Sequence, residues 1–246
     1  MTIRMRNRTL VAAALCGAAL CTGTLTAQAA TYNLTGDWSD LANPNGAWTY
    51  LRAGSPFAGT VANWSGFGTA WADSADFGIG FTPMLLKYDG SGSEAIDAVA
   101  GDIVTHTNTG DSNSGAGEVS IRFTNPQAGS ATVSGIVWDA HLSVVRNEDW
   151  KVFVNGVLAA SGTVLGDGSE GRANADQFLL SALTLDSGDT VELLLVRAPG
   201  HTGGVLGLDL TVDVTPVPLP AALPLMLSAL AGGLGVARRR RRTPAG

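Results

Sequence analysis

The sequence predicts an all-β fold, specifically an antiparallel β-sandwich of the jelly-roll type. Segments 118–124 and 205–214 alternate strictly between apolar and other residues, as strands with one buried face do. The chain has 32 glycines, many of them between these short runs. No part of 30–214 shows the 3.6-residue apolar repeat of an amphipathic helix. About ten short strands with glycine-rich turns are typical of a sandwich, and long cross-over connections would make it a jelly roll.

The predicted strands follow one another with turn signals between them. They are 31–37, 47–51, 83–88, 103–107, 118–124, 131–138, 150–154, 157–164, 177–185, 190–197 and 205–214. The best-defined turn is the Asn-Gly dipeptide at 155–156, because it supplies the positive φ angles of a type I′ hairpin. We therefore expect Val154 opposite Val157 and Val152 opposite Ala159.

Segment 54–80 differs from the rest of the body, since it is rich in glycine and aromatic residues and has neither helical nor strand periodicity. It predicts long loops that carry Trp64 and Trp71. An exposed indole is costly unless something covers it, so these two rings are ligand-binding candidates. The alternative is that the loops bury the rings themselves. Trp138 and Trp150 lie in predicted strands and are expected in the core.

The first 29 residues have the organisation of a secretory signal peptide. Three arginines among the first eight residues precede an apolar run at 10–20, which predicts a signal helix, and Ala27 and Ala29 frame an Ala-x-Ala cleavage site. Both cysteines lie in this segment, so the mature chain has neither a disulfide nor a thiol nucleophile. We expect export through the Sec translocon.

The C-terminal segment 215–246 predicts one transmembrane helix. The run 219–237 has no charged side chain, and 19 residues at about 1.5 Å each nearly match a hydrocarbon core of roughly 30 Å. Five arginines follow it, namely Arg238, Arg239, Arg240, Arg241 and Arg242. A basic cluster of this kind is retained on the cytoplasmic side, so the body at 30–214 is expected outside.

A proline-rich motif stands directly before this span and consists of Val217, Pro218, Leu219, Pro220 and Ala221. Motif, span and basic tail together closely resemble the VPLPA-CTERM sorting signal, a relative of the PEP-CTERM signals of Gram-negative bacteria. The resemblance covers 217–242. It implies a transient stay in the inner membrane, cutting near 217–220 by a membrane protease called an exosortase, and a final location at the cell surface or in the extracellular matrix.

The body between the two signals is strongly acidic. All 21 acidic residues but only seven of the 15 basic residues lie within 30–214, which gives this segment a net charge of −14. Such a surface repels phosphate backbones, so nucleic-acid binding is not expected.

The body also resembles bacterial secreted modules of the carbohydrate-binding jelly-roll type. The resemblance is carried by the pattern at 43–50, His106, and the segments 152–156, 188–191 and 207–210. It implies extracellular polysaccharide as a partner.

Metal and catalytic signals are weak. Asp111 and Asn113 are spaced like the start of a calcium loop, but Arg122 stands where such a loop has a bidentate glutamate. We expect no cofactor, with calcium as the alternative.

The chain has three histidines and neither Gly-x-Ser-x-Gly nor His-Glu-x-x-His. The leading hypothesis is therefore a non-enzymatic exported protein. A glycan-binding module is the alternative, and a polysaccharide-cleaving enzyme that uses an unidentified carboxylate pair is the third hypothesis.

Overall fold

The computed structural model describes residues 28–72, 83–91, 96–107, 117–141 and 145–217. The predicted signal helix, the span 219–237, the five arginines, and the calcium candidates Asp111 and Asn113 lie outside these ranges. Within them the chain forms strands and two short 3-10 turns, at Trp64–Gly66 and Arg172–Asn174. The described ranges hold no helix that is both long and apolar enough to cross a membrane.

Fourteen strands are described. In chain order they are β1 (Ala30–Asn33), β2 (Trp48–Arg52), β3 (Ser55–Pro56), β4 (Thr60–Val61), β5 (Ala70–Ala72), β6 (Met84–Lys87), β7 (Ile103–His106), β8 (Val119–Thr124), β9 (Gly129–Asp139), β10 (Glu148–Val154), β11 (Val157–Val164), β12 (Asp176–Leu185), β13 (Thr190–Arg197) and β14 (Val205–Pro216).

The strands form two antiparallel sheets. One has eight strands in the order β12-β9-β14-β7-β6-β5-β4, with β1 also paired to β14. The other has six strands in the order β11-β10-β13-β8-β2-β3. From β7 onward the chain crosses repeatedly between the sheets, which is the jelly-roll manner of building a sandwich. The predicted fold class is confirmed.

The main core lies between the sheets. Alternate residues of β14 point into it, and each is at most 1% exposed, namely Leu206, Leu208, Leu210, Val212 and Val214. From the other sheet Ile121, Val152 and Leu193 meet them, each fully buried. Trp150 belongs to the same core, as its strand periodicity predicted. Because side chains alternate between the two faces of a strand, the partly exposed Asp209 and Thr211 lie on the outer face.

A second apolar cluster lies on that outer face of the eight-stranded sheet. Trp138 and Leu86 form its floor, and Trp64 and Phe67 cover it from segment 62–69. The prediction of long loops for 54–80 is therefore wrong in part, because this segment contains β3, β4 and β5. These strands have only two or three residues each, which is too short for periodicity to reveal.

The hairpin of β10 and β11 has the predicted turn, with φ of 50° at Asn155 and 77° at Gly156. Val154 pairs with Val157 as expected, but Val152 pairs with Ala160 instead of Ala159. The register shifts between Val152 and Phe153, so the expected pairing is wrong by one residue.

Candidate functional site

The structure places the two loop tryptophans in the protein interior. Trp64 is fully buried, and its ring centroid lies 6.5 Å from that of Phe67 and 6.4 Å from that of His106. Trp71 is 5% exposed, and its indole N–H donates to the Ser39 carbonyl over 2.9 Å. The expectation of exposed ligand-binding rings is corrected, because segment 62–69 folds onto the sheet and β5 carries Trp71 into the main core.

An open depression, which we call the outer-face trough, lies on the same sheet beyond the second cluster. It has a volume of about 400 Å³ and is lined by three neighbouring strands. The outward-facing side chains of its lining are Ser134 and Ile136 of β9, Gln177 and Leu179 of β12, and Asp209 and Thr211 of β14, and Gly135 and Phe178 complete it. The sequence showed Asp209 and Thr211 on one face of their strand. It did not show that β9 and β12 lie beside them.

Strand register arranges these six side chains in two rows. Ile136 pairs with Gln177 on one side and with Asp209 on the other, which makes the first row. Ser134 pairs with Leu179 and with Thr211, which makes the second row. The small serine at the centre of the second row lies between larger neighbours. The trough therefore follows directly from the residue sizes on three adjacent strands.

Asp209 is held in place from the β1 side of the trough. The Asn33 amide donates to Asp209 Oδ2 over 3.3 Å and to the Thr211 hydroxyl over 2.9 Å. The Thr35 hydroxyl donates to Asp209 Oδ1 over 3.1 Å. These bonds orient the carboxylate while leaving acceptor capacity on Oδ2, and Thr211 keeps its own hydroxyl proton to donate.

Gln177 and Ser134 provide uncommitted polar groups. Neither side chain forms a hydrogen bond within the described residues, and Gln177 is exposed. Leu179 is 67% exposed, and Ile136 is partly buried against the second cluster. The trough thus combines an amide, two hydroxyls and a carboxylate with two aliphatic side chains, a mixture typical of small-molecule sites.

A polar end cluster, made of Thr107, Arg146 and Glu148, lies between the sheets at one end of the sandwich. The Thr107 hydroxyl donates to Glu148 Oε2 over 2.8 Å and accepts from the Gly204 N–H over 3.2 Å. Glu148 is 1% exposed, and this burial raises the pKa of its carboxyl to about 8. The side chain is therefore mostly protonated at pH 7. Sequence analysis missed it, because an acid at the start of a strand resembles a loop residue.

Two further titratable groups are buried near this end. Burial raises the pKa of Asp139 to about 6, and its Oδ1 accepts the His141 N–H over 2.9 Å. Burial, with a smaller contribution from the Arg146 charge, lowers the pKa of His106 to about 3, so the ring is neutral at pH 7. Asp139 is 3% exposed and His106 is fully buried. Such burial favours a structural role over acid–base catalysis.

The described residues contain no group of three or more His, Cys, Asp or Glu side chains placed to hold a metal ion. Of the terminal motifs, Ala29 and Val217 are described, and both are exposed. Val217 follows β14 directly and is 63% exposed. Ala27 and the motif residues Pro218, Leu219, Pro220 and Ala221 lie outside the described ranges.

No protein-family profile and no curated protein matches the sequence. Solved structures that match parts of the chain include an adhesin domain of Lys-gingipain from Porphyromonas gingivalis, with 11% identity over 77% of this chain and 99% of that chain and a TM-score of 0.37. The CBM22-1 xylan-binding domain from Paenibacillus barcinonensis has 10% identity over 76% and 94%, with a TM-score of 0.33. A family 35 carbohydrate-binding module from Clostridium thermocellum has 17% identity over 39% and 69%, with a TM-score of 0.26. At these values no function is carried from those proteins to this chain.

Proposed function

We propose that this chain is an exported, non-enzymatic protein of the cell surface or extracellular matrix, processed at its C-terminus by an exosortase-type membrane protease. The proposal rests on the signal peptide at 1–29 and on the sorting motif, span and arginines of 215–246. It places the protein transiently in the inner membrane and then outside.

One observation carries the proposal, namely the position of the folded body relative to the motif. β14 ends at Pro216, which pairs with Gly129, and the motif begins at the exposed Val217. A cut within 217–220 would therefore leave every described strand intact. A proline-rich segment also stays extended, as a protease requires of its substrate.

Mass spectrometry of the mature C-terminus tests this proposal. We expect the recovered protein to end between residues 217 and 220, and a variant that lacks 217–246 to be released or mislocalised. Mature protein that still carries the arginines, or unchanged surface retention of the deletion variant, would contradict it. Replacing exposed Leu158, far along the chain from the motif, provides a matched variant that should be processed normally.

A second function, binding of glycans, is favoured by the outer-face trough. The trough is open, lies on rigid strands and offers uncommitted polar groups beside aliphatic ones. Polysaccharide pull-down with the exported protein tests this function. Retention on at least one extracellular polysaccharide is expected, and no retention on any polymer of a broad panel would reject it. Release of new reducing ends in the same assay would instead support the third hypothesis, a polysaccharide-cleaving enzyme.

A further inference from the structure

We infer that the outer-face trough is a site for an uncharged glycan chain and that it discriminates against acidic polysaccharides. This inference rests on the proposed glycan binding, for which it supplies the site and the ligand class. It replaces the loop tryptophans, which are buried, with side chains of β9, β12 and β14.

The hydrogen-bonding groups of the trough match the hydroxyls of a sugar. A sugar hydroxyl both donates and accepts, so it can donate to Asp209 Oδ2 while accepting from the amide of Gln177 or the hydroxyl of Thr211. Asp209 is already oriented by Asn33 and Thr35, so binding would require little ordering of that group.

The aliphatic side chains of the trough match the other chemical character of a sugar, its C–H faces. Ile136 lies in the first row and Leu179 in the second, each flanked by a polar residue of the neighbouring strand. A pyranose ring that contacts one of these side chains would hold its equatorial hydroxyls toward the flanking polar groups. The two rows lie two residues apart along each strand and therefore provide contacts for more than one sugar unit.

The negative charge of the trough favours binding of neutral polymers over acidic ones. Asp209 lines the trough, and Asp213 follows on the same face of β14, where its carboxylate accepts from the Thr31 hydroxyl over 2.5 Å. Lys87 donates to the Thr35 carbonyl over 2.8 Å, and Arg172 pairs with Asp102 over 2.8 Å. A uronate or sulfate group would meet carboxylates here without a free cation among the described lining residues, on a body with net charge −14.

Affinity electrophoresis of the exported protein in gels that contain neutral glucan, galactan, mannan or xylan, or the polyuronate alginate, tests this inference. Ser134→Tyr would fill the trough and should abolish retardation by the neutral polymer that binds. Gln177→Ala removes one exposed donor and should weaken binding about five-fold, the equivalent of roughly 1 kcal/mol. Because Gln177 is exposed, this variant should fold normally, and circular dichroism checks both variants.

Exposed leucines provide the matched control. Leu179→Ala in the trough should weaken binding, whereas Leu158→Ala, an exposed leucine of the other sheet, should not. Neutral-polymer binding that survives every trough variant would overturn the site while leaving glycan binding intact. Binding to alginate alone would overturn the ligand class. Absence of binding to all polymers would reject both the inference and the glycan-binding function, leaving the exported surface role to its own test.

Discussion

The outer face of the eight-stranded sheet has a covered half and an open half. In the covered half, formed by β5, β6, β7 and the end of β9, large apolar side chains such as Leu86 and Trp138 lie beneath segment 62–69. In the open half, formed by β9, β12 and β14, the same face bears Ser134, Thr211 and Asp209. Both halves share the main core beneath them, so the difference arises from outward-facing residues alone.

Two residues mark the border between the halves. Gly207 of β14 lies under the Trp138 ring, where an added Cβ would be 2.0 Å from Trp138 Cε2. Ile136 packs against the second cluster on one side and lines the trough on the other. The face therefore changes from buried to open within one residue pair. A single sheet can thus serve stability in one half and ligand contact in the other.

Removing Trp64 should break the covered half and have the largest effect on stability. Its side chain is fully buried, so Trp64→Ala should lower the free energy of unfolding by about 3 to 5 kcal/mol. Urea denaturation followed by circular dichroism measures this loss. A loss below about 1 kcal/mol would show that segment 62–69 contributes little to the fold.

Filling the space under Trp138 tests the border. Gly207→Val should displace the indole and cost about 3 kcal/mol, since the ring lies between β14 and segment 96–102, where its N–H donates to the Asp97 carbonyl over 2.7 Å. Thr211→Val, two pairs along the same face in the open half, provides the matched control. Its unfolding free energy should change far less, and equal losses in the two variants would contradict the comparison.

Stability should fall as pH rises from 6.5 to 8, because burial makes the Glu148 carboxyl hold its proton more tightly in the folded protein than in the unfolded chain. Folded Glu148 keeps its proton up to about pH 8, whereas the unfolded chain loses it above about 4.5, so unfolding releases a proton in this window. His106, whose pKa is lowered, and Asp139, whose pKa is raised to about 6, change the pH dependence of stability mainly below pH 6.5.

Glu148→Gln should remove this pH dependence, which amounts to about 2 kcal/mol over the window. Melting temperatures of the two proteins at pH 6.5, 7.2 and 8 measure this dependence. The melting temperature of the variant should rise relative to that of the parent as the pH increases. Asp149→Asn provides the control. Asp149 is the next residue on the same strand, but its carboxylate accepts from the Thr163 hydroxyl at an exposed position. Parallel pH profiles for parent and Glu148→Gln would be inconsistent with a buried, protonated Glu148.

Leu179→Ala in the open half should have the smallest effect, a change below about 0.5 kcal/mol in unfolding free energy, because the side chain is 67% exposed. Urea denaturation of this variant and of Trp64→Ala under the same conditions compares the two halves directly. A loss of more than about 2 kcal/mol would mean that the trough is packed in solution and is not open.

Most of the strands could be predicted from alternation and turns, as 205–214 and the Asn-Gly hairpin show. What alternation cannot reveal is which strands become neighbours, because pairing joins residues far apart in the chain. The trough depends on such pairing: Ser134 meets Thr211 only through the contact of β9 with β14. Trp64 was predicted to be exposed for a related reason. It is buried against a sheet face formed by β6, β7 and β9, which the sequence does not show to be adjacent to it.

The pairing of β14 also determines how the sandwich would respond to mechanical load. β9 flanks β14 from Leu206 to Pro216 on one side, while β7 and β1 flank it on the other at Val205–Leu208 and Thr211–Val214. A pull on Val217 along the strand therefore acts in shear, across the hydrogen bonds of three neighbours at once. A protein tethered through residue 217 would resist flow without needing any disulfide.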